Sequence, residues 1–504
     1  MNELPECYTT RVLSDIMNAN SEAVRTKGPL CVDLDGTLVN GDTFAEPALR
    51  LITRNPLYAI VLIGWLFRGK CYLKNQVARA APVDVELLPY RVEVLEYVRR
   101  QQEAGRPVVL VSAAAEETAS RVAKHLDIPQ VIASSNGLNL KGRAKARFLA
   151  GRYGSHGFTY VGDSRADIPV WADAAEAVCV GGSPALLSQL KRMGVPVTEL
   201  GSRRPGFLRT LARELRVHQA TKNTLVLAPL FLAHKLSDGT RIIGALTAFF
   251  ALTLCTSAAY VINDLLDLEA DRVHQEKCRR PLASGDMPLV TGALLVPVLL
   301  GAGFGLSVLV RPAFIILLAA YVGCTLLYSL RLKRLVIVDV LTLAGLYTWR
   351  LILGGYAASV RVSPWLLAFS MFMFLNIALL KRYTDLRCLR STGVSRAHGR
   401  GYCTDDAEQI ARFGTSAAYI AVLVLALYIT SPEVIVFYRQ PNWLWGISVL
   451  ILYWNSRLWF MAERGKVSTD PVLFAVRDKM SYGICALALL FVLLATVGVS
   501  LGVL

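Results

Sequence analysis

The chain has no N-terminal apolar leader: its opening, MNELPECYTTRVLSDI, carries early acids and no hydrophobic core. A secretory signal needs an apolar stretch there, so the front of the chain is expected on the cytoplasmic side. The first 200 residues also lack repeated apolar runs of membrane-spanning length and read as a soluble domain. Zinc-finger spacing and other nucleic-acid motifs are missing, so the net charge of +16 is not read as a nucleic-acid footprint. No disulfide framework is visible among the ten cysteines. They are scattered, and Cys255 and Cys324 lie in apolar runs, as small buried side chains in a reducing compartment do.

What is present is apolar bulk, unevenly distributed over a chain long enough for two domains. The 504 residues are 54% hydrophobic and 18% charged. After a basic stretch, GSRRPGFLRTLARELR, apolar segments recur near 222–236, 241–262, 289–306, 308–330, 336–355, 364–380, 412–430, 441–459 and 480–503. This predicts an all-α membrane domain of about nine transmembrane helices. An odd count places the C-terminus opposite the N-terminal domain, with no second soluble domain expected beyond it. Bases gather beside the spans, at Arg203, Arg204, Arg209, Arg213 and Arg216, then at Arg331, Lys333 and Arg334. That placement fits the positive-inside tendency and attraction to anionic membrane lipids or a phosphorylated substrate. The expected division is a front domain over 1–200, a basic linker and interfacial segment over 201–221, and a transmembrane domain over 222–504.

Within the front domain, PLCVDLDGTL (29–38) reads as a buried strand ending in an acidic turn with Asp33, Asp35, Gly36 and Thr37. A second strand, from Pro107 to Val111, delivers Ser112; a third, from Phe158 to Val161, ends in GDSRAD with Asp163 and Asp167. Between them NLKGRAKARFL starts a helix with Lys141 and Lys145. Open α/β sheets collect ligands at the carboxyl ends of their strands, where these groups meet. There Asp33 can attack phosphorus while Asp35 protonates the leaving alcohol and later activates water. Magnesium is expected on Asp33 and Asp163, with Asp35 and Asp167 beside them, and Ser112 and a lysine on the phosphoryl oxygens. Over residues 27–200 this set resembles the phosphatases of the haloacid-dehalogenase-like hydrolase superfamily, with Lys145 matching its lysine and Lys141 a competing match. The resemblance implies an α/β Rossmann-like hydrolase domain with an inserted helical cap over about 44–98. In that cap, NPLYAIVLIGWLFRGK is unusually apolar. Packing inside the cap is the plainer expectation, and a membrane-facing groove for a lipid substrate the sharper one.

Beside the spans, four polar clusters stand out, and such groups are functional candidates by default. The first is Arg216, Gln219, Lys222 and Asn223; the second is NDLLDLEADRVHQEKCRRP, from Asn263 to Pro281. The third is Tyr328, Lys333 and Asp339; the fourth is Lys381, Arg382, Tyr383 and Asp385. In the second, Asp264, Asp267 and Asp271 recur over one and two helical turns, so their carboxylates can converge. Lys277, Arg279 and Arg280 follow directly, and a divalent metal with a diphosphate satisfies both signs.

Over about 210–504 these residues resemble the UbiA family of polytopic prenyltransferases. Its first acidic motif stands here as Asn263, Asp264, Asp267 and Asp271, followed by the family's basic motif from Lys277 through Arg280 to Pro281. Aromatic prenyltransferases of the family carry a second aspartate-rich motif after the sixth span. Here that place reads LLKRYTDLRCLR, with Asp385 among bases. Lys381, Arg382 and Arg387 can instead bind anionic oxygens directly. Together with HQATKNTLVLAPL, and with Arg464, Asp470 and Asp478 in ERGKVSTDPVLFAVRD, this looks like the decaprenyl-phosphate phosphoribosyltransferase branch.

The resemblances imply a bifunctional enzyme of the bacterial inner membrane with magnesium in both domains. A polyprenyl phosphate attacks phosphoribosyl pyrophosphate, pyrophosphate leaves on metal held by Asp264, Asp267 and Asp271, and the front domain removes the 5-phosphate. Lys277 and Arg280 are expected on diphosphate oxygens, and Lys381 and Arg382 on the ribose 5-phosphate or the lipid phosphate. A homo-oligomer is compatible with the sequence. Two rivals stand beside this reading. One is a transferase consuming prenyl diphosphate for an aromatic or small acceptor, with an independent phosphatase. The other is a lipid-phosphate transporter or scaffold that presents lipid to the phosphatase without releasing pyrophosphate.

Overall fold

Short β-branched runs separated by amphipathic helices favour a parallel sheet, because each crossover helix must bury one face on it. The computed structural model shows such a sheet and describes residues 28–134, 140–201, 205–274, 276–391, 393, 400–467, 474 and 478–498. The opening residues, Arg203, Arg204 and Asp470 lie outside the described residues. The chain divides into two compact units, one of Met1–Glu214 with Asp264–Gly292, the other of Leu215–Asn263 with Ala293–Leu504.

The first unit holds six parallel strands, β1 (Leu30–Val32), β2 (Val108–Ala115), β3 (Gln130–Ser134), β4 (Thr159–Gly162), β5 (Glu176–Val180) and β6 (Val197–Leu200), in the order β3-β2-β1-β4-β5-β6. Leu30 is in register with Val108 on one side and with Thr159 on the other. Alternate residues feed two cores: Leu30, Val32 and Leu110 face one, Cys31, Val109 and Tyr160 the other. The strand order reverses beside β1, which opens a crevice at the carboxyl ends of β1, β2 and β4. Between β1 and the helix Val92–Glu103 three short α-helices, Ala45–Arg54, Tyr58–Phe67 and Lys70–Ala80, and a 3₁₀ turn, Val85–Leu87, are inserted. No residue of Tyr58–Phe67 is buried. Tyr58, Leu62 and Trp65 pack partly on Leu51, Val77 and Ala81, while Ile60, Ile63 and Phe67 are exposed. The expectation that this apolar stretch packs inside the cap holds for one side of the helix only.

In the second unit, the nine expected spans are corrected. Among the described residues six helices are long and apolar enough to cross a membrane: Gly239–Leu266, Leu289–Val308, Pro312–Leu330, Pro364–Ser391, Thr404–Ile429 and Lys479–Val497. The first expected span is broken, forming a 3₁₀ stretch, Val217–Leu227, and a five-residue helix, Ala228–Leu232, with Pro229 at its start. Val338–Ala357 and Trp445–Glu463 are helices of spanning length but not of spanning composition. Asp339 and Arg350 in one, Asn455 and Arg457 in the other, dilute their apolar content. Alanine, leucine and aromatic residues fill the interior, as where Ala248, Leu252, Phe314, Leu318, Tyr321 and Leu353 pack together. Leucine, isoleucine and valine remain exposed along the outer faces, for instance Leu294, Val298 and Ile316. That is the distribution a hydrocarbon solvent favours.

Candidate active sites

In the α/β domain the chain leaves β1 at Asp33, whose backbone N–H still donates to the Val161 carbonyl at 3.0 Å. The carboxyl of Asp33 accepts from the Leu34 N–H at 3.0 Å and from Lys145 Nζ at 2.8 Å. Lys145 also donates to the Tyr160 hydroxyl at 2.8 Å, and that hydroxyl donates to Asp167 at 3.0 Å. Asp167 in turn accepts from the backbone N–H and hydroxyl of Ser164. The nucleophile candidate thus sits at one end of a buried chain of four polar side chains. Burial pushes Asp33 up to about 7 against the pull of Lys145. The Tyr160 phenol is pushed well above its ordinary value by burial and by Asp33 and Asp167.

Asp35 points elsewhere. Its Oδ1 accepts from the N–H of Thr43 at 2.9 Å and from its hydroxyl at 2.8 Å. Burial first, then Asp42, raise it to about 6, while Thr43 and Lys74 pull it down. Directly after Asp35, Gly36 has φ +81°, and a Cβ there would lie 2.7 Å from the Asp163 carboxylate. Glycine is needed at this position, and its lack of a side chain lets Asp163 close over the turn. Ser112 is fully buried in β2, its Oγ accepting the Ala114 N–H at 3.0 Å. Lys141 is exposed ahead of the helix Arg143–Tyr153 that buries Lys145. A small pocket beside Asp35 is lined by Thr43, Phe44, Lys74, Val77, Ala114 and Thr118. Lys74 reaches the Ala113 carbonyl at 2.7 Å.

The acidic motif belongs to the same compact unit. Asp264 and Asp271 are both buried, and Arg280 Nη1 bridges them, 2.9 Å from Asp264. Lys277 Nζ lies 3.9 Å from Asp271. Asp267 caps the helix Leu268–Val273, its carbonyl accepting the Asp271 N–H, and Asn263 is half-buried one residue before Asp264. Burial raises Asp271 above the usual carboxylate range, with Arg280 opposing. This segment is fastened to the start of the cap. Arg272 donates to Glu46 at 2.7 Å and to the Leu87 carbonyl at 3.2 Å. Asn40 donates to the Ser284 carbonyl at 2.8 Å and to Asp286 at 3.2 Å, and Arg50 pairs with Glu269. Gly285, at φ +79°, passes so close that a Cβ would collide with the Asn40 carbonyl.

In the second unit Asp339 is fully buried and accepts from Arg382 Nε, from Arg382 Nη2 at 3.1 Å and from the Tyr328 hydroxyl at 2.8 Å. Arg382 Nη1 reaches Asp385 at 2.9 Å. The third and fourth clusters of the sequence are therefore one network, and the Arg382 fork is engaged by carboxylates. Arg387 is exposed and donates to the carbonyls of Ala462 and Glu463 and to the Tyr383 hydroxyl. Arg464 is exposed just past the helix Trp445–Glu463. Lys222, Lys333 and Lys381 are half-buried. Asn223 is buried and donates to Thr253 and Thr256, both at 3.1 Å. Asp478 pairs with Arg457 at 2.7 Å and caps the helix Lys479–Val497.

The residues missed at the sequence level are Thr43, Lys74, Tyr160, Asn40, Glu46 and Arg272. Tyr160 carried one signal, a polar tip in the middle of a buried strand that needs a partner. Glu46 and Arg272 carried none, because their pairing spans 226 positions. Among the described residues no group of three His, Cys, Asp or Glu side chains is arranged to hold a metal. The donors are nevertheless of the right kind. Asp33 and Asp35 are acids raised by burial, a condition a nearby divalent cation offsets, and Asp264 and Asp271 already share one cation in Arg280.

Fold and sites together define a haloacid dehalogenase-like hydrolase domain joined to a multi-pass membrane domain. The model of haloacid dehalogenase-like hydrolases matches residues 30–171. The model of the UbiA prenyltransferase family matches residues 224–476, half of the chain, and the chain belongs to that family. It is 35% identical to protein y4nM of Sinorhizobium fredii, over 92% of this chain and 90% of that one. It is 31% identical to the nodulation protein NoeC of Azorhizobium caulinodans, over 56% of this chain and 91% of that one. A decaprenyl-phosphate phosphoribosyltransferase of Mycobacterium tuberculosis is 30% identical over 37% of this chain and 63% of its own length.

Proposed function

We propose that the membrane domain transfers a 5-phosphoribosyl group from phosphoribosyl pyrophosphate to polyprenyl phosphate, and that the N-terminal domain then removes the 5-phosphate. The observation that carries the reading is the Arg280 bridge between buried Asp264 and Asp271, with Lys277 beside it. This cluster of both signs suits a diphosphate leaving group, and the 30% identity to a decaprenyl-phosphate phosphoribosyltransferase supports the donor. The phosphate oxygen of the lipid attacks the anomeric carbon, the bond from that carbon to pyrophosphate breaks, and the electron pair leaves with pyrophosphate. Lys277 and Arg280 favour this step because they meet more negative charge in the transition state than before it. The acceptor phosphate is already ionised, so no strong general base is required.

In the second reaction Asp33 attacks the 5-phosphoryl group and the ester P–O bond breaks. Asp35, raised to about 6, gives its proton to the departing alkoxide. It then takes a proton from the water that hydrolyses the aspartyl phosphate, which releases orthophosphate and restores Asp33. Lys145 holds Asp33 in place, and Ser112 is the candidate partner for a phosphoryl oxygen. Magnesium would be held by Asp33 and Asp163, with Asp167 in support, and in the transferase by Asp264, Asp267 and Asp271. There it would neutralise phosphate charge. The cytoplasmic face of a bacterial inner membrane is the setting this reading requires.

Labelled phosphoribosyl pyrophosphate incubated with polyprenyl phosphate should yield lipid-extractable label. With D33N the lipid should retain its 5-phosphate and orthophosphate release should stop. The same dephosphorylated lipid at the same rate from D33N would sink the coupled scheme. Turnover of prenyl diphosphate with a small acceptor would replace it.

A further inference from the structure

We propose that Arg350 is a phosphate anchor inside the membrane domain, built from its guanidinium and the tyrosines around it. The proposal rests on the transferase reading and names a further residue for its substrates. Arg350 lies in the helix Val338–Ala357 and is 6% exposed. Its Nε and Nη1 are buried without a hydrogen-bond partner among the described residues. Aromatic side chains surround it, Tyr321 also as a hydrogen-bonding neighbour. Its guanidinium carbon lies 4.5 Å from the Tyr347 ring centre and 5.7 Å from that of Tyr321. Tyr260 is within electrostatic range, and its own ring carries Arg216 at 4.8 Å.

Other buried arginines of the chain are differently supplied. Arg382 has Asp339 and Asp385, and Arg272 has Glu46. Arg350 has phenols, which temper a cation through their ring faces but do not neutralise it. A cation held in an apolar bundle without a carboxylate is costly and marks a binding function by default. The planar fork matches two oxygens of a phosphate, and the phenol hydroxyls can donate to the same anion. The ligand class is thus a phosphate monoester, carried either on the isoprenoid lipid or on the ribosyl donor.

The full-length protein in nanodiscs should be titrated separately with farnesyl phosphate and with phosphoribosyl pyrophosphate, reading both affinity and ligand-induced thermal shift. R350Q should weaken one of the two by about tenfold or more, the loss expected when charge-assisted hydrogen bonds disappear. R350K should fall between wild type and R350Q. Loss confined to farnesyl phosphate assigns the anchor to the lipid, and loss confined to the pyrophosphate donor assigns it to the sugar phosphate. Should R350Q fail to fold, R350K decides: unchanged affinity for both ligands overturns the proposal. A variant that melts earlier yet keeps both wild-type affinities also overturns it and leaves the transferase reading standing. Wild type that binds neither ligand defeats both.

Discussion

Asp33 and Asp35 are two residues apart, yet Asp33 faces Lys145 and Asp35 faces Thr43. In the proposed phosphatase reaction these environments suit them to different roles. Thr43 lowers Asp35 through its N–H and its hydroxyl, and T43V, which removes the hydroxyl bond and keeps the N–H one, should raise it further. The proton needed by the leaving alkoxide then persists to higher pH. The alkaline limb of phosphatase activity should shift upward, and an unchanged or downward limb in the pH–rate profile would count against Asp35 as the acid. A second consequence concerns stability. With Asp33 raised to about 7 and Asp35 to about 6 from an ordinary 3.8, the folded state holds protons the unfolded state has released. Their contribution to stability is complete below the unfolded value and is lost as pH rises through the folded values. Magnesium should therefore raise the melting temperature of the N-terminal unit more at about pH 7.5 than at about pH 5, and D33N should diminish the difference.

Among the elements, the helix Tyr58–Phe67 shows how little composition says about direction. Its sequence is apolar on every side, and only contact with Leu51 and Val77 decides which side is covered. Replacing Ile60, Ile63 or Phe67 with serine should cost no more than roughly 0.5 kcal/mol of folding stability in detergent. Leu51→Ala should cost about 2–5 kcal/mol, because Leu51 is 3% exposed and truncation leaves a cavity. Chemical denaturation of the N-terminal unit separates the two outcomes. Equal costs would mean that the exposed side has a covering partner. The first expected span failed for a related reason. Residues 222–236 are apolar enough to suggest a helix, but a 3₁₀ run gives way to a short helix at Pro229. Asn223 is tied to Thr253 and Thr256, a pairing across 30 residues that no local pattern announces.

For the whole molecule, the acidic motif of the transferase and the α/β hydrolase domain fold as one compact unit. The Glu46–Arg272 pair is nine-tenths buried on both sides, and removing either partner should cost about 3–5 kcal/mol. E46Q and R272Q should both lower transferase turnover, since Arg272 is one residue from Asp271. The double variant should be no worse than the more severe single one. Additive losses in that cycle would show that the clasp does not act as a unit. Motif spacing was enough to place Asp33 and Asp163 just past the ends of two neighbouring strands, because a strand's end and the turn after it are local matters, whereas β2 runs on to Ala115 and keeps Ser112 inside the strand. The expectation that Asp264, Asp267 and Asp271 follow one another along a single helix is corrected: the helix Gly239–Leu266 ends after Asp264, Asp267 is the cap, and Asp271 lies in the next helix, Leu268–Val273. Only the tertiary structure chose Lys145 over Lys141 beside Asp33, gave Arg382 to Asp339, joined Glu46 to Arg272 and left Arg350 among tyrosines. Those outcomes depend on which distant side chain arrives to balance a buried charge, and that is settled by packing across the fold, not by neighbours in the chain.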